Sequence, residues 1–284
     1  ISSVKDDPPE PLLKLALDIY KYHCTHDNVA KAQKTKQPTC LEEIPAIPVQ
    51  LYKEIDVGTL LASNAHTTFL TSGTTQGKRG AHHMSHPSLY ELSAATWAHL
   101  CVSNLPAHGI HILLDPATHP ESSLSHMAAL LSPNSASWHL PNGTVHIDSF
   151  FRELQNAKTS VFIGATAFAL ADVLTLEKTI RLPAGSVMMI TGGFKGRRVD
   201  VSDEWMYKKA ALHFPETKIV TEYGMTELSS QLWGTPGSAY HPPPWMKVWA
   251  CDPVTGIPLE NGRIGQLRFF DLANIDSALV VETM

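Results

Sequence analysis

From Thr67 onward the chain alternates short apolar runs with longer segments whose apolar residues recur at helical spacing, and this alternation restricts the fold more than any other feature. The short runs are Thr67–Leu70, Ile110–Leu114, Ser160–Gly164, Val187–Ile190 and Lys218–Thr221. Helical segments are predicted from about Pro87 (with Ser85 as its cap), over Ser122–Leu131, from an Asp148 cap to Ala157, over Ala165–Lys178 and over Ser202–Phe214. Strands separated by helices join through crossovers, so the predicted class is α/β with a largely parallel sheet flanked by helices. After Pro236 the pattern changes to short strands with turns (Trp245–Cys251, Gly265–Phe270), a β-rich subregion over residues 236–284. Upstream, Leu12, Leu13, Ala16, Leu17, Ile19 and Tyr20 predict a helix from Pro11 to His23. Asp27–Glu43 reads as loop, and Ile44-Pro-Ala-Ile-Pro48 as a rigid extended piece. The expectation is one large domain over residues 1–284.

Composition removes several classes of function. Hydrophobic residues make up 43% of the 284 and charged residues 17%, against about 25% charged in an ordinary soluble domain. With a net charge of only −5, so apolar a chain folds rather than staying disordered. Twenty-two Lys and Arg against 27 Asp and Glu leave no basic excess for nucleic acid. Cys24, Cys40, Cys101 and Cys251 lie far apart with no CxxC pair, which argues against a disulfide framework or zinc site and fits a reducing cytoplasm. The uncharged stretch Leu92–Leu114 is interrupted by His99, Asn104, Pro106 and His108, so no membrane span is expected. The fifteen histidines show no HExxH and no metal-ligand spacing. Ser72 is not in a GxSxG elbow.

Three loops after predicted strands carry glycine, threonine and charge. In open α/β sheets, ligands bind beyond the carboxyl ends of the strands. Thr71-Ser-Gly-Thr-Thr-Gln-Gly-Lys-Arg-Gly80 offers hydroxyls, glycine backbone and adjacent cations, which suit a phosphate, but it lacks Walker A order; a polar surface turn is the plain alternative. Thr191-Gly-Gly-Phe-Lys-Gly196 permits close approach of backbone to a ligand, or is simply a tight turn. Glu222-Tyr-Gly-Met-Thr-Glu227 offers a carboxylate for Mg²⁺, a hydroxyl for a phosphate oxygen and a flat ring for a purine. Its structural alternative is a strand end that starts a helix, with Thr226 as cap. Phe168, in Gly164-Ala-Thr-Ala-Phe-Ala169, lines an apolar pocket or packs in the core.

The order TSGTT, TGGFKG, EYGMTE and then Gly262-Arg-Ile-Gly-Gln-Leu267 resembles that of the adenylate-forming (ANL) enzymes, which include acyl-CoA synthetases, luciferases and peptide-synthetase adenylation domains. Ile44–Pro48, Gly164–Phe168 and Phe270–Asn274 look like the branch holding the acyl-protein synthetases of the bacterial luminescence fatty-acid reductase complex and, more distantly, the phenylacetate-CoA ligases. The resemblance spans about Ile44 to Met284. It implies a large N-terminal ligase domain that joins a carboxylic acid to AMP at the expense of ATP, then transfers the acyl group to a thiol: CoA, a carrier-protein phosphopantetheine arm or a protein cysteine. It implies that Ser72, Gly73, Thr74, Thr75, Lys78 and Arg79 cradle pyrophosphate. Gly192, Gly193 and Phe194 would lie along the adenine, with Tyr223 stacked on it. Thr226 would contact the α-phosphate and Glu227 would hold Mg²⁺. The common phosphate loop reads SGTTGxPKG; here Gln76, Lys78 and Arg79 stand for its second glycine, its proline and its lysine. The family's ribose aspartate and small C-terminal lid domain would follow the Val280–Thr283 region, so the expectation is a truncated ligase without its lid. The alternative is a degenerate, non-catalytic ligase domain serving as a structural or chaperone-like partner in a fatty-acid or polyketide biosynthetic complex. A third is a nucleotide-binding regulatory module.

Overall fold

The computed structural model describes residues 9–33, 37–72, 78–193, 202–260 and 262–283. In chain order its elements are α1 (Glu10–His26), α2 (Asn28–Gln33), β1 (Ile47–Pro48), β2 (Thr67–Leu70), β3 (Ala81–Met84), α3 (Ser88–Cys101), β4 (His108–His111), α4 (Ser123–Leu130), β5 (Ser135–Trp138) and α5 (Ile147–Asn156). They continue with β6 (Phe162–Thr166), α6 (Ala167–Leu174), β7 (Val187–Thr191), α7 (Asp203–His213), β8 (Lys218–Tyr223), β9 (Leu232–Gly234), β10 (Met246–Cys251), β11 (Gln266–Asp271) and β12 (Val280–Glu282). The chain is α/β, as its alternation predicts, and two compact units divide it. One comprises residues 1–93, 225–231 and 242–284; the other comprises residues 94–224 and 232–241.

The second unit carries a six-stranded sheet in the order β5-β4-β6-β7-β8-β9. All neighbours are parallel except β9, which runs antiparallel to β8. The central strands are buried along their length: Val187–Thr191 has no exposed residue, and Phe162–Ala165 is likewise inside. Helices cover both faces of such a sheet, which is why these strands read as unbroken apolar runs rather than alternating ones. Ile110, Phe150, Phe151, Leu154, Ile163 and Met188 belong to its core. Helix starts are set by short hydroxyl side chains. Ser122 accepts the Ser125 N–H (3.2 Å), Thr166 the Ala169 N–H (3.2 Å) and Ser202 the Trp205 N–H (3.1 Å).

The first unit pairs a hairpin, β2 with β3, and a four-stranded sheet in the order β1-β12-β11-β10. Trp249, Cys251, Phe270, Leu279 and Val280 from that sheet pack with Ala16, Tyr20 and Cys24 of α1. The four cysteines are free. Among the described residues, no helix is long and apolar enough to cross a membrane.

Several boundaries differ from expectation for local reasons. The stretch 27–43 is not all loop: the Asp27 carboxylate accepts the Val29 N–H at 2.8 Å and starts α2, and Leu41–Glu43 forms a 3₁₀ turn. Ser85 does not cap α3. Its N–H and hydroxyl both donate to Asp276 (2.8 and 2.7 Å), and His86 Nδ1 accepts the Ser88 N–H instead. Asp148 is no cap either; α5 begins one residue earlier, and Asp148 sits in its first turn, where the helix dipole favours a negative charge. β6 runs on through Ala165 and Thr166 because both pair with β7, which delays α6 to Ala167 and confines it to one short helix. β4 lies two residues earlier than expected, at His108–His111.

Candidate functional site

In the second unit the parallel pairing of β7 and β8 sets Thr191 opposite Glu222. Gly192 and Gly193 then leave β7 beside Tyr223, the last residue of β8, at the carboxyl ends of both strands. Gly192 has φ +70°, a left-handed conformation that glycine adopts without cost. Among the described residues, a Cβ built on either glycine meets no atom within 4 Å. The half-buried ring of Tyr223 meets Tyr240 edge-on, with centroids 6.0 Å apart. Phe194 lies outside the described residues.

Glu222 carries chemistry that the sequence reading passed over. Its side chain is buried and accepts a short hydrogen bond from the Thr191 hydroxyl. Burial pushes its carboxyl up to about 7, and the threonine hydroxyl offsets only part of that. A glutamate in a strand whose other interior residues, Val220 and Thr221, are uncharged was the available signal.

The strand order reverses between β4 and β6, the place where doubly wound sheets open a crevice. Here His111 fills it. The Gly164 N–H donates to His111 Nδ1 at 2.9 Å, so Nε2 carries the proton and donates to the Ser132 hydroxyl at 3.0 Å. Burial drives the imidazole down to about 3, so it is neutral. Gly109 makes room for this ring: a Cβ there would lie 2.2 Å from His111 Nε2. Phe168 packs against the apolar core of the same unit.

In the first unit the phosphate-loop candidate closes the β2–β3 hairpin. Gly73, Thr74 and Thr75 lie outside the described residues, and Ser72 is exposed. The base of the loop is tied twice, by the Thr71 N–H to the Gly80 carbonyl and by the Gly80 N–H to the Thr71 hydroxyl, both at 2.8 Å. Arg79 Nε donates to the Thr71 carbonyl (2.7 Å) and Lys78 Nζ to the Glu54 carbonyl (3.1 Å). Both cations are thereby oriented by neutral backbone acceptors.

The second half of the Glu222–Glu227 run also belongs to the first unit. No helix follows it, so Thr226 is not a helix cap; the chain makes a turn in which the Leu228 N–H donates to the Met225 carbonyl (3.1 Å). Glu227 to Gln231 are nevertheless all buried. Buried backbone outside helices and sheets needs other partners, and here side chains supply them. His82 Nδ1 donates to the Thr226 carbonyl at 2.7 Å, and Asn274 Nδ2 to the Glu227 carbonyl at 2.9 Å. The Asp271 carboxylate accepts the Ser229 N–H (2.9 Å) and the Ser230 hydroxyl (2.7 Å). Burial lowers His82 to about 4, so the donating ring is neutral. Burial raises Asp271 to about 6, against the pull of its hydrogen-bond donors. Burial also holds the Tyr52 phenol above its usual range, and the neighbouring Glu227 charge adds to this. His82, Asp271 and Asn274 escape sequence reasoning because each acts on a backbone atom far along the chain.

Among the described residues no group of three His, Cys, Asp or Glu is placed to hold a metal ion.

No family model and no curated protein matches the sequence. Solved structures do match. An open conformation of 2-hydroxyisobutyryl-CoA ligase with 2-HIB-AMP and CoA is 13% identical, with a TM-score of 0.65; the match covers 95% of this chain and 63% of that one. ATP-bound MatB from Rhodopseudomonas palustris is 16% identical, with a TM-score of 0.52, covering 76% of this chain and 41% of that one. The luciferase-like enzyme of the nonluminescent mealworm Zophobas morio is 13% identical, with a TM-score of 0.52, covering 75% and 49%. The chain thus spans between about two fifths and two thirds of the length of these proteins. Its α/β architecture, with a largely parallel sheet, is thus a fold shared with these solved CoA-ligase and luciferase-like structures.

Proposed function

We propose that the protein takes part in ATP-dependent activation of a carboxylic acid as its acyl-adenylate, followed by transfer to a thiol, with residues 1–284 as the nucleotide- and acyl-binding domain. One observation carries this reading. On a fold shared with solved CoA-ligase structures, two of the glycine- and threonine-bearing segments end the adjacent parallel strands β7 and β8, with Gly192 and Gly193 beside Tyr223.

In the first step a carboxylate oxygen attacks the α-phosphorus. The bond to the bridging oxygen breaks, and pyrophosphate leaves with that electron pair. Such a displacement needs positioning and charge neutralisation rather than a protein nucleophile. Ser72, Gly73, Thr74, Thr75, Lys78 and Arg79 hold the leaving pyrophosphate. Thr226 donates its hydroxyl to the α-phosphate. Gly192, Gly193, Phe194 and Tyr223 receive the adenine, the glycine backbone lying along its plane. Glu227 is the carboxylate for Mg²⁺, which when bound neutralises phosphate charge. In the second step the thiol sulfur attacks the acyl carbon and AMP leaves. CoA and a carrier-protein pantetheine arm are the acceptors in view.

Carboxylate-dependent exchange of labelled pyrophosphate into ATP tests the first step. The expected result is exchange with at least one acid from a panel of fatty, aryl and short branched acids, reduced at least a hundredfold by Glu227→Ala. No exchange with any acid, together with no heat of ATP·Mg²⁺ binding by calorimetry, would overturn it and favour a non-catalytic scaffold.

A further inference from the structure

We propose that His82 is a positioning residue for adenylation, acting through the backbone of Thr226; this rests on the ligase reading above. Thr226 and Glu227 sit in a turn with no helix or sheet to hold it, yet their chemistry requires side chains aimed within a few tenths of an ångström. The carbonyl of Thr226 accepts a hydrogen bond from His82 Nδ1 at 2.7 Å. His82 is the second residue of β3, and β3 begins two residues after Arg79. One short strand therefore carries both the end of the phosphate-loop candidate and the group that fixes Thr226. The strand itself is fixed: His82 pairs with Phe69 across the hairpin, and Phe69 is fully buried against the Tyr90 ring (centroids 5.2 Å). The Thr226 carbonyl is thereby tied to a fixed strand through a rigid imidazole.

Histidine fits this task for a geometric reason. The Nδ1–H lies close to the main chain of its own strand, so the donor is short and has few torsions to lose. Asparagine places its amide N–H at nearly the same distance from Cα, whereas glutamine places it one carbon further and leucine has no donor. A buried carbonyl stripped of its partner rotates toward another donor, and the Thr226 side chain rotates with it.

The test compares H82L, H82Q and H82N in the complete natural chain. The measurements are pyrophosphate exchange, thermal unfolding, and hydrogen exchange of the peptide spanning residues 225–231. The expectation is that H82L and H82Q lower exchange kcat at least tenfold and change the KM for ATP less than threefold. Amide exchange over 225–231 should accelerate, with the global unfolding temperature within a few degrees of wild type. H82N should restore kcat to within threefold. If H82L does not fold, the contrast between H82Q and H82N decides. Equal kcat in H82Q, H82N and wild type would overturn the proposal and leave the ligase reading standing. So would loss in H82N equal to that in H82Q. A wild-type chain that neither exchanges pyrophosphate nor binds ATP·Mg²⁺ would overturn both.

Discussion

Replacing Glu222 with glutamine should stabilise the protein above pH 7 far more than at pH 5. The glutamate is buried, its carboxylate accepts from the Thr191 hydroxyl, and burial lifts its carboxyl from 4.5 to about 7. A folded-state value above the unfolded one means that the neutral form is favoured in the native protein. The associated stability is then complete below about pH 4.5 and is lost as pH rises through about 7. With these two values the cost is about 0.8 kcal/mol at pH 5 and about 3.3 kcal/mol at pH 8, at 1.36 kcal/mol per unit. Glutamine keeps the acceptor for Thr191 and never ionises. The gap between E222Q and wild type should therefore widen by about 2.5 kcal/mol from pH 5 to pH 8. In a chain of this size that is a difference in unfolding temperature of roughly 5–10 °C. Urea melts of both proteins at half-unit intervals measure it, and taking the difference removes every other titrating group. Parallel pH profiles would refute the reasoning. A variant less stable than wild type at pH 8 would show instead that ionised Glu222 has a stabilising partner.

Two further outcomes follow from buried groups. His82 and His111 are held neutral by burial at about 4 and about 3, below their ordinary 6.5, so their contribution is present above pH 6.5 and lost as pH falls toward those values. Between pH 6.5 and pH 4.5 each should remove about 2 kcal/mol, read as the pH dependence of the stability difference between wild type and H82N or H111N, because buried Glu222 and Asp271 gain stability over the same interval; parallel profiles of wild type and variant would contradict it. Gly109→Ala places a Cβ 2.2 Å from His111 Nε2 and 2.5 Å from the Ser132 hydroxyl, and should destabilise by roughly 1–3 kcal/mol or more in the same melts. An alanine variant as stable as wild type would mean that the imidazole is not wedged there.

Much of the fold was legible because its strands are buried on both faces. Val187–Ile190 and Lys218–Thr221 stand out as apolar runs, and Ser122 and Ser202 mark helix starts by residue type alone. Where a side chain had two partners to choose from, local reading failed. Ser85 reads as a cap by position, but Asp276, 191 residues away, takes both of its donors. Thr226 reads as a cap by composition, but the buried turn after it is held from β3 and from the β11–β12 connection. The motif residues themselves were visible in order, since glycine, threonine and charge at strand ends are a local pattern.

The sequence by itself determined the class of fold, the strand ends that carry the glycine and threonine segments, and the residue types offered to a nucleotide. These follow from periodicity and from short-range sterics, which act within a few residues. The tertiary structure alone decided that Glu222 lies opposite Thr191 and is driven toward its neutral form. It also decided that His111 fills the reversal point of the sheet, and that His82, Asp271 and Asn274 hold the turn of Thr226 and Glu227. The reason is the cost of burying a polar group without a partner. That cost is met by whatever donor or acceptor the fold brings near, and its place in the chain leaves no mark at either residue.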